Sequence, residues 1–133
     1  MKKFCSLLLF LMAFIGTVAA QEKQADIRFE QIMLNAGTFS EKDPIQKYVF
    51  KFKNVGTAPL IINQAMASCG CTVPSYTKKP IAPGEAGEIK VTYNGTGKMP
   101  GHFKKTVTVR TNGKTEVTRL YIEGTMEEAT EGK

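Results

Sequence analysis

The sequence predicts an all-β protein, a sandwich of about seven short antiparallel strands that follows an N-terminal export signal. Apolar and polar residues alternate with a period of two, and clusters of Pro, Gly and Asn separate the alternating segments. No segment shows the apolar stripe of a helix. Because successive side chains of a strand point to opposite faces, each segment is expected to be buried on one side only.

The first 20 residues have the three-part pattern of a secretory signal. Lys2 and Lys3 form a positively charged start, residues 4–15 are almost entirely apolar, and small residues lead up to Ala20. The apolar run is shorter than the roughly 20 residues that a membrane-spanning helix needs, which makes an uncleaved anchor the weaker alternative. We therefore expect cleavage after Ala20 and export to the periplasm, the cell surface or the medium, with no transmembrane segment left.

Removal of the signal leaves one domain with a mild positive charge. The mature chain has 133 − 20 = 113 residues, a usual length for one domain. Loss of Lys2 and Lys3 reduces the 18 basic residues to 16 against 12 acidic ones, so the net charge is 16 − 12 = +4. The basic residues are spread along the chain, which argues against a nucleic-acid partner. We place the domain at residues 21–126 and a disordered polar tail at residues 127–133.

The strands follow from alternation and turn chemistry. The clearest alternating apolar residues are Tyr48, Phe50 and Phe52, then Ile89, Val91 and Tyr93, then Val107 and Val109, then Leu120 and Ile122. Turn residues separate these segments, and Asn112-Gly113 is the strongest short hairpin signal. The predicted strands lie near residues 26–34, 46–54, 58–67, 71–74, 86–94, 102–111 and 115–125. Seven short strands in about 100 residues are typical of an immunoglobulin-like β-sandwich.

Alternation also assigns the two sides of each strand. The predicted core between the sheets comprises Phe50, Phe52, Ile62, Ile89, Val91, Val107, Val109, Leu120 and Ile122. The opposite sides carry Lys51, Lys53, Lys90, Lys104 and Arg110. Lysine at such positions discourages edge-to-edge aggregation. We favour a solvated basic face over a partner-binding one.

Cys69-Gly70-Cys71 is the place in the mature chain where chemistry is concentrated. In an extended strand the Cα atoms of residues two apart are about 6.6 Å apart, near the upper limit for a disulfide. Closing a disulfide therefore needs a turn at Gly70, which glycine permits. The resulting small ring would be strained and easily reduced.

A soft-metal site is a second interpretation of the same pair. Two thiolates two residues apart could hold an ion such as copper(I), with Met66, Met99 or His102 as further ligands. A structural zinc site needs four ligands, whereas this chain offers one cysteine pair and one histidine after the signal. The interpretation that we rank first is that Cys69 and Cys71 pack or pair at a bend between two strands. No cofactor is expected.

Three motifs resemble those of a domain-of-unknown-function family of small exported bacterial proteins. They are Asn54-Val55-Gly56 followed by residues 58–62, Ser68-Cys69-Gly70-Cys71-Thr72-Val73-Pro74, and Ile81-Ala82-Pro83-Gly84-Glu85. The resemblance covers residues from about 27 to 126. The family is similar to Hydin-type and major-sperm-protein-type immunoglobulin-like domains, which implies the sandwich fold and a binding or scaffolding role. Asn35-Ala36-Gly37-Thr38 departs from the family pattern, which usually has an aromatic residue before this glycine.

The sequence gives no sign of an enzyme. It contains no Gly-x-Ser-x-Gly, no His-Glu-x-x-His and no phosphate-binding glycine loop. Its one histidine, His102, has no carboxylate or nucleophile beside it in sequence. We expect a non-catalytic module that binds another envelope protein, and we leave its oligomeric state open. The competing hypothesis is soft-metal binding or thiol redox chemistry through Cys69-Gly70-Cys71.

Cleavage after Ala20 can be tested by blocking it. Ala20→Arg should leave the precursor intact because signal peptidase requires a small residue at this position, whereas Ala20→Ser should still be processed. Wild-type protein isolated from its bacterial source should have the intact mass of residues 21–133. A wild-type mass that includes residues 1–20 would contradict the prediction.

Overall fold

Eight strands form two four-stranded sheets in the computed structural model, which describes residues 22–130. The strands are β1 (Ile27–Phe29), β2 (Met33–Ser40), β3 (Ile45–Asn54), β4 (Ile62–Ala67), β5 (Thr72–Tyr76), β6 (Ala86–Asn94), β7 (Gly101–Thr111) and β8 (Val117–Glu127). One sheet has the order β1-β3-β6-β5 and the other has the order β2-β8-β7-β4. The predicted signal at residues 1–20 and the end of the predicted tail at residues 131–133 lie outside the described residues.

The two sheets confirm the predicted immunoglobulin-like β-sandwich. In that fold the first, second, fifth and fourth strands form one sheet, and the third, sixth and seventh form the other. When β2 is set aside, the remaining seven strands follow this arrangement in chain order. β2 is an additional edge strand beside β8.

The first strand is the main correction to the sequence prediction. The segment predicted as one strand at residues 26–34 is divided between the sheets, since β1 pairs antiparallel with β3 and β2 pairs parallel with β8. The structure therefore has eight strands, one pair of them parallel, rather than about seven antiparallel strands. The chain crosses at residues 30–32, where the Ile32 carbonyl accepts a hydrogen bond from the Tyr121 N–H at 2.8 Å. Alternation cannot show this switch because both partner strands are distant in sequence.

A β-bulge between Asn35 and Gly37 shapes the additional strand. Gly37 has a φ of +66°, a left-handed conformation that glycine adopts without steric cost, and its N–H donates to Asn35 Oδ1 at 2.8 Å. Ala36 packs against Gly124 of β8, where an added Cβ would lie 2.7 Å from the Ala36 Cβ. Small residues at both positions thus allow β2 to approach β8 closely.

Several element boundaries also differ from the prediction, by one to four residues. β4 begins later than predicted, because Leu60 forms only an isolated bridge with Ile81. β8 extends through Glu127, which was assigned to the tail, and the Ala129 N–H donates to the Glu41 carboxylate at 2.9 Å. β8 therefore ends one residue beyond residue 126, the predicted end of the domain.

The predicted core is confirmed. All nine residues assigned to it are buried between the two sheets, and the five outward basic residues are exposed. The structure adds Leu60 and Ile81 at one end of the core and Ala25 and Ile27 at its N-terminal edge. Full burial of an aliphatic or aromatic side chain stabilises a fold by about 1.5–3 kcal/mol, so this layer is the main source of stability.

Asn54, the last residue of β3, is a fully buried polar side chain that connects two loops. Its Nδ2 donates to the carbonyls of Ala58 at 2.8 Å and Ile81 at 2.9 Å. Its Oδ1 accepts from the Gly56 N–H at 3.0 Å. These bonds tie the β3–β4 loop to the β5–β6 loop, in addition to the two backbone hydrogen bonds between Leu60 and Ile81, and they give the Ala58 carbonyl its partner.

Aromatic rings close the core at the opposite end. Tyr93 and Phe103 stack with centroids 4.4 Å apart, and Phe39 contacts both of them edge-on. Burial raises the pKa of Tyr93 and of Tyr48, and the neighbouring Tyr93 adds to the effect at Tyr48. Because the folded state favours the neutral phenols, their contribution to stability is present below about pH 10 and is lost as the pH rises further.

Within residues 22–130, no helix has the length and apolar character needed to cross a membrane.

Asn54→Ala should destabilise the domain by about 2–4 kcal/mol, because it leaves the Ala58 carbonyl and the N–H groups of Gly56 and Asp26 without their side-chain partner. Asn94→Ala is the matched control: Asn94 also ends a strand and accepts an N–H, that of Thr96 at 3.0 Å, but it is exposed. The control should lose less than about 1 kcal/mol. Urea unfolding followed by circular dichroism measures both values, and equal losses would contradict the role assigned to Asn54.

Candidate functional site

Three chain segments meet at the end of the sandwich that carries the two cysteines, which we call the disulfide end. They are the β2–β3 turn, the corner between β4 and β5, and the β6–β7 loop. The Gly95 N–H donates to the Pro44 carbonyl at 2.9 Å, and the Asn94 N–H donates to the Cys71 carbonyl at 2.7 Å. The corner is therefore held in place by β6, a central strand of its sheet.

Cys69 and Cys71 are bonded to each other by a disulfide at this corner. Their Cα atoms are 5.3 Å apart, closer than in an extended strand, because the chain turns at Gly70. The Thr72 N–H donates to the Cys69 carbonyl at 3.1 Å and holds the turn. Gly70 is exposed, and no atom lies within 4 Å of the position of an added Cβ. The disulfide therefore lies beside open solvent.

The two sulfur atoms have different surroundings. The Cys71 N–H donates to Cys69 Sγ at 3.1 Å, whereas Cys71 Sγ lies 3.7 Å from the Thr72 hydroxyl. Both cysteines are partly exposed, and Thr72 is buried. A backbone N–H directed at sulfur favours a thiolate there. The local dipoles thus favour negative charge on Cys69 over Cys71.

The disulfide adds little to the stability of the fold. It closes a ring with only Gly70 between the cysteines. In the chain-entropy model, a loop this short stabilises by about 1–2 kcal/mol, against about 3 kcal/mol for a 15-residue loop. The hydrophobic layer between the sheets carries the fold, and the disulfide only fixes the corner.

Of the other candidate metal ligands, one pairs with a carboxylate and two are exposed methionines. His102 Nε2 pairs with Glu123 Oε1 at 2.8 Å on the exposed side of the sheet. Met66 is 56% exposed on β4 and Met99 is 90% exposed in the β6–β7 loop. In the described part of the chain, no group of three or more His, Cys, Asp or Glu side chains is arranged to hold a metal ion. Soft-metal binding stays a prediction that would require reduction of the disulfide.

β4 leaves a row of unpaired backbone groups along one edge of its sheet. The Ser68 N–H donates to the Thr106 carbonyl at 2.9 Å, and this bond shows which residues of β4 direct their backbone groups towards β7. Because bonded and non-bonded positions alternate in an antiparallel pair, the N–H and C=O groups of Ala65 and Ala67 point away from β7. Among residues 22–130 they make no backbone hydrogen bond outside the ladder. The side chain between them, Met66, is exposed.

The other three edge strands are blunted, which means that each has a feature that hinders pairing with another chain, whereas β4 has no such feature. β1 has three residues and carries Arg28, β2 is bent by the bulge at Gly37, and β5 contains Pro74. The hydrogen bond from the Asn94 N–H to the Cys71 carbonyl shows which backbone groups of β5 face β6. By this alternation, residue 74 would direct its N–H away from β6, and Pro74 has no N–H to offer there. β4 has an irregularity only at its start and contains no charge and no proline.

The amino-acid sequence alone does not identify the β4 edge as a site. The feature of the sequence that points to this edge is the segment Ile62–Ala67, which has neither charged residues nor proline. Whether such a strand lies at an edge depends on pairing with β7, which only the tertiary structure shows.

A shallow groove of about 710 Å³ crosses β1, β3 and β6. Its lining includes Arg28, Lys51 and Lys53 together with the carboxylates of Glu30 and Glu88. Because both signs of charge are present, the groove does not select an anionic or a cationic ligand, and the solvated interpretation of the basic residues is retained.

The profile of the family described as Protein of unknown function (DUF1573) matches residues 27–126. The chain belongs to the DUF1573 family. The match extends from β1 almost to the end of β8 and includes both the β4 edge and the disulfide corner. No curated protein sequence matches the chain. The relation to Hydin-type and major-sperm-protein-type domains stays a prediction.

Solved structures share the fold of this DUF1573 domain at low sequence identity. A protein of unknown function from Porphyromonas gingivalis has a TM-score of 0.66 and 13% identity, over 83% of this chain and 51% of that one. The human CEP192 ASH/PapD-like domain 7 has a TM-score of 0.62 and 9% identity, over 90% and 97%. The YadV chaperone has a TM-score of 0.54 and 15% identity, over 81% and 55%. The chain spans about half the length of the P. gingivalis protein, and these likenesses show the fold alone.

Removal of the disulfide should leave the DUF1573 domain folded. The double variant Cys69→Ser, Cys71→Ser should lose no more than about 1–2 kcal/mol of unfolding free energy, because the closed ring is so short. Urea unfolding of the variant and of wild-type protein, oxidised and reduced, measures this loss. A loss of about 4 kcal/mol, as for structural disulfides of small secreted domains, would contradict the assignment of a minor structural role.

Proposed function

We propose that this DUF1573 protein is an exported, non-catalytic module of the bacterial cell envelope that binds another envelope protein by adding a strand to the β4 edge. The observation that carries the proposal is the unpaired edge of β4, the least blunted of the four edges in the described sandwich. An extended segment paired there would lengthen the sheet β2-β8-β7-β4 by one strand. Strand addition of this kind is a common mode of peptide recognition.

The edge offers both affinity and adaptability. The outward N–H and C=O groups of Ala65 and Ala67 supply main-chain hydrogen bonds, each worth about 0.5–1.5 kcal/mol. Gln64, Met66 and Ser68 occupy the outer side of the strand and are exposed. Methionine is flexible and polarisable, so it can pack against partner side chains of different shapes. The pattern suits a partner recognised mainly through its backbone.

Export and the absence of catalysis are parts of the proposal that rest on the sequence. The N-terminal pattern at residues 1–20 supports export, and the sequence contains none of the catalytic motifs considered above. The likeness to the YadV chaperone supports a role in protein binding, since a chaperone acts on other proteins. The sequence and the fold leave the identity of the partner to experiment.

Photo-crosslinking in the source bacterium tests the β4 edge. A photoreactive amino acid placed at position 66 should give a discrete cross-linked product, whereas the same residue at position 73 should not. Val73 is the matched control because it is also apolar, exposed and on an edge strand, but its strand is blunted by Pro74. Equal cross-linking at the two positions would contradict the proposal.

A backbone variant identifies the contact as strand addition. Ala65→Pro removes the outward N–H without touching the ladder to β7, and loss of one such bond should weaken cross-linking at position 66 about 5–10-fold. Ala65→Ser keeps the N–H and should cross-link as the wild-type chain does. Circular dichroism must show that both variants fold. Unchanged cross-linking in folded Ala65→Pro would exclude pairing at this edge.

A further inference from the structure

The position of the Cys69–Cys71 disulfide makes it accessible to other thiols. It lies at the corner between two edge strands, both cysteines are partly exposed, and Gly70 between them faces open solvent. Exposed disulfides are more easily reduced than buried ones. A ring with a single residue between the cysteines also leaves the released sulfurs close together, so the bond can form again without rearrangement of the domain.

The hydrogen bonds at the corner distinguish the two sulfurs as leaving groups. Thiol–disulfide exchange is faster when the departing thiolate is stabilised. The Cys71 N–H already donates to Cys69 Sγ at 3.1 Å, so a thiolate released at Cys69 meets a donor in place. Cys71 Sγ has the more distant Thr72 hydroxyl, at 3.7 Å. Attack on Cys71, with departure of Cys69, is therefore the favoured direction.

We propose that the Cys69–Cys71 disulfide is a thiol–disulfide exchange site that oxidises the cysteines of flexible protein segments. A substrate thiolate attacks Cys71 Sγ, the Cys69–Cys71 bond breaks, and a mixed disulfide forms on Cys71 while Cys69 leaves as a thiolate. A second substrate thiolate then attacks the substrate sulfur of the mixed disulfide and releases Cys71. The substrate loses two electrons and two protons in forming its disulfide, and Cys69 and Cys71 gain them as two thiols.

The substrate class follows from the surroundings of the disulfide. The corner lies at the end of the sandwich, and neither cysteine lines any of four grooves on the described residues. Such a site cannot select a small molecule by shape, but it can be reached by an extended chain that carries cysteines. The exchange is stoichiometric, since it leaves each protein molecule with two thiols, and it is therefore compatible with a module that is not an enzyme. It needs no pairing at the β4 edge, so it stands or falls independently of the binding proposal.

The first test is stoichiometric oxidation of a two-cysteine peptide by the oxidised mature protein at neutral pH. After acid quenching, intact masses should show the peptide two hydrogens lighter and the protein two hydrogens heavier, in equal amounts. Circular dichroism should show that the protein remains folded. The Cys69→Ser, Cys71→Ser variant is the control and should leave the peptide reduced. A wild-type disulfide that survives millimolar peptide until the domain is unfolded would overturn the proposal.

The second test concerns the direction of attack. During reduction by glutathione, acid quenching should trap an adduct that fragmentation mass spectrometry places on Cys71. In the single variants, the Cys69 thiol of Cys71→Ser should be alkylated at pH 6 about fivefold faster than the Cys71 thiol of Cys69→Ser, since thiolate character controls the rate. Adducts on Cys69, or equal alkylation rates, would overturn the assignment of Cys69 as the leaving group.

Discussion

A sandwich of two open sheets has four edge strands, and the way in which each edge strand limits pairing with other chains shapes most of this domain. An edge presents backbone donors and acceptors to any chain that can pair with them. β1 is cut to three residues, β2 is bent by a bulge at Gly37, and β5 contains Pro74. β4 remains as an edge without charge or proline. The proposed binding surface is thus the one edge of the described domain that has not been blunted.

The two ends of the sandwich are closed by different chemistry. At one end the buried amide of Asn54 donates to carbonyls of two loops, which are also joined by the backbone bridge between Leu60 and Ile81. At the other end Phe39, Tyr93 and Phe103 close the core, and the disulfide fixes the exposed corner. Stability therefore resides in the core and in Asn54. We therefore expect the fold to survive reduction of the disulfide.

The β4 edge and the disulfide are adjacent in the chain, since Cys69 follows Ser68 directly after β4. A segment paired along β4 would approach the corner as it extends towards Ser68. The proposed binding would use backbone groups of Ala65 and Ala67, whereas the proposed exchange would use the sulfur of Cys71. The two activities thus use separate atoms, although a cysteine-bearing segment could meet both in turn.

The sequence by itself determined the sandwich and its core. The period-two alternation placed residues such as Phe50, Ile89 and Leu120 on the buried side, because every second side chain of a strand faces the same way. It also pointed to the cysteine pair and to the turn needed at Gly70. Tertiary structure alone decided the passage of the first strand between sheets, the burial of Asn54 and the exposure of the β4 edge. These features depend on which distant strands pair, and neighbouring residues in the sequence carry no record of that pairing.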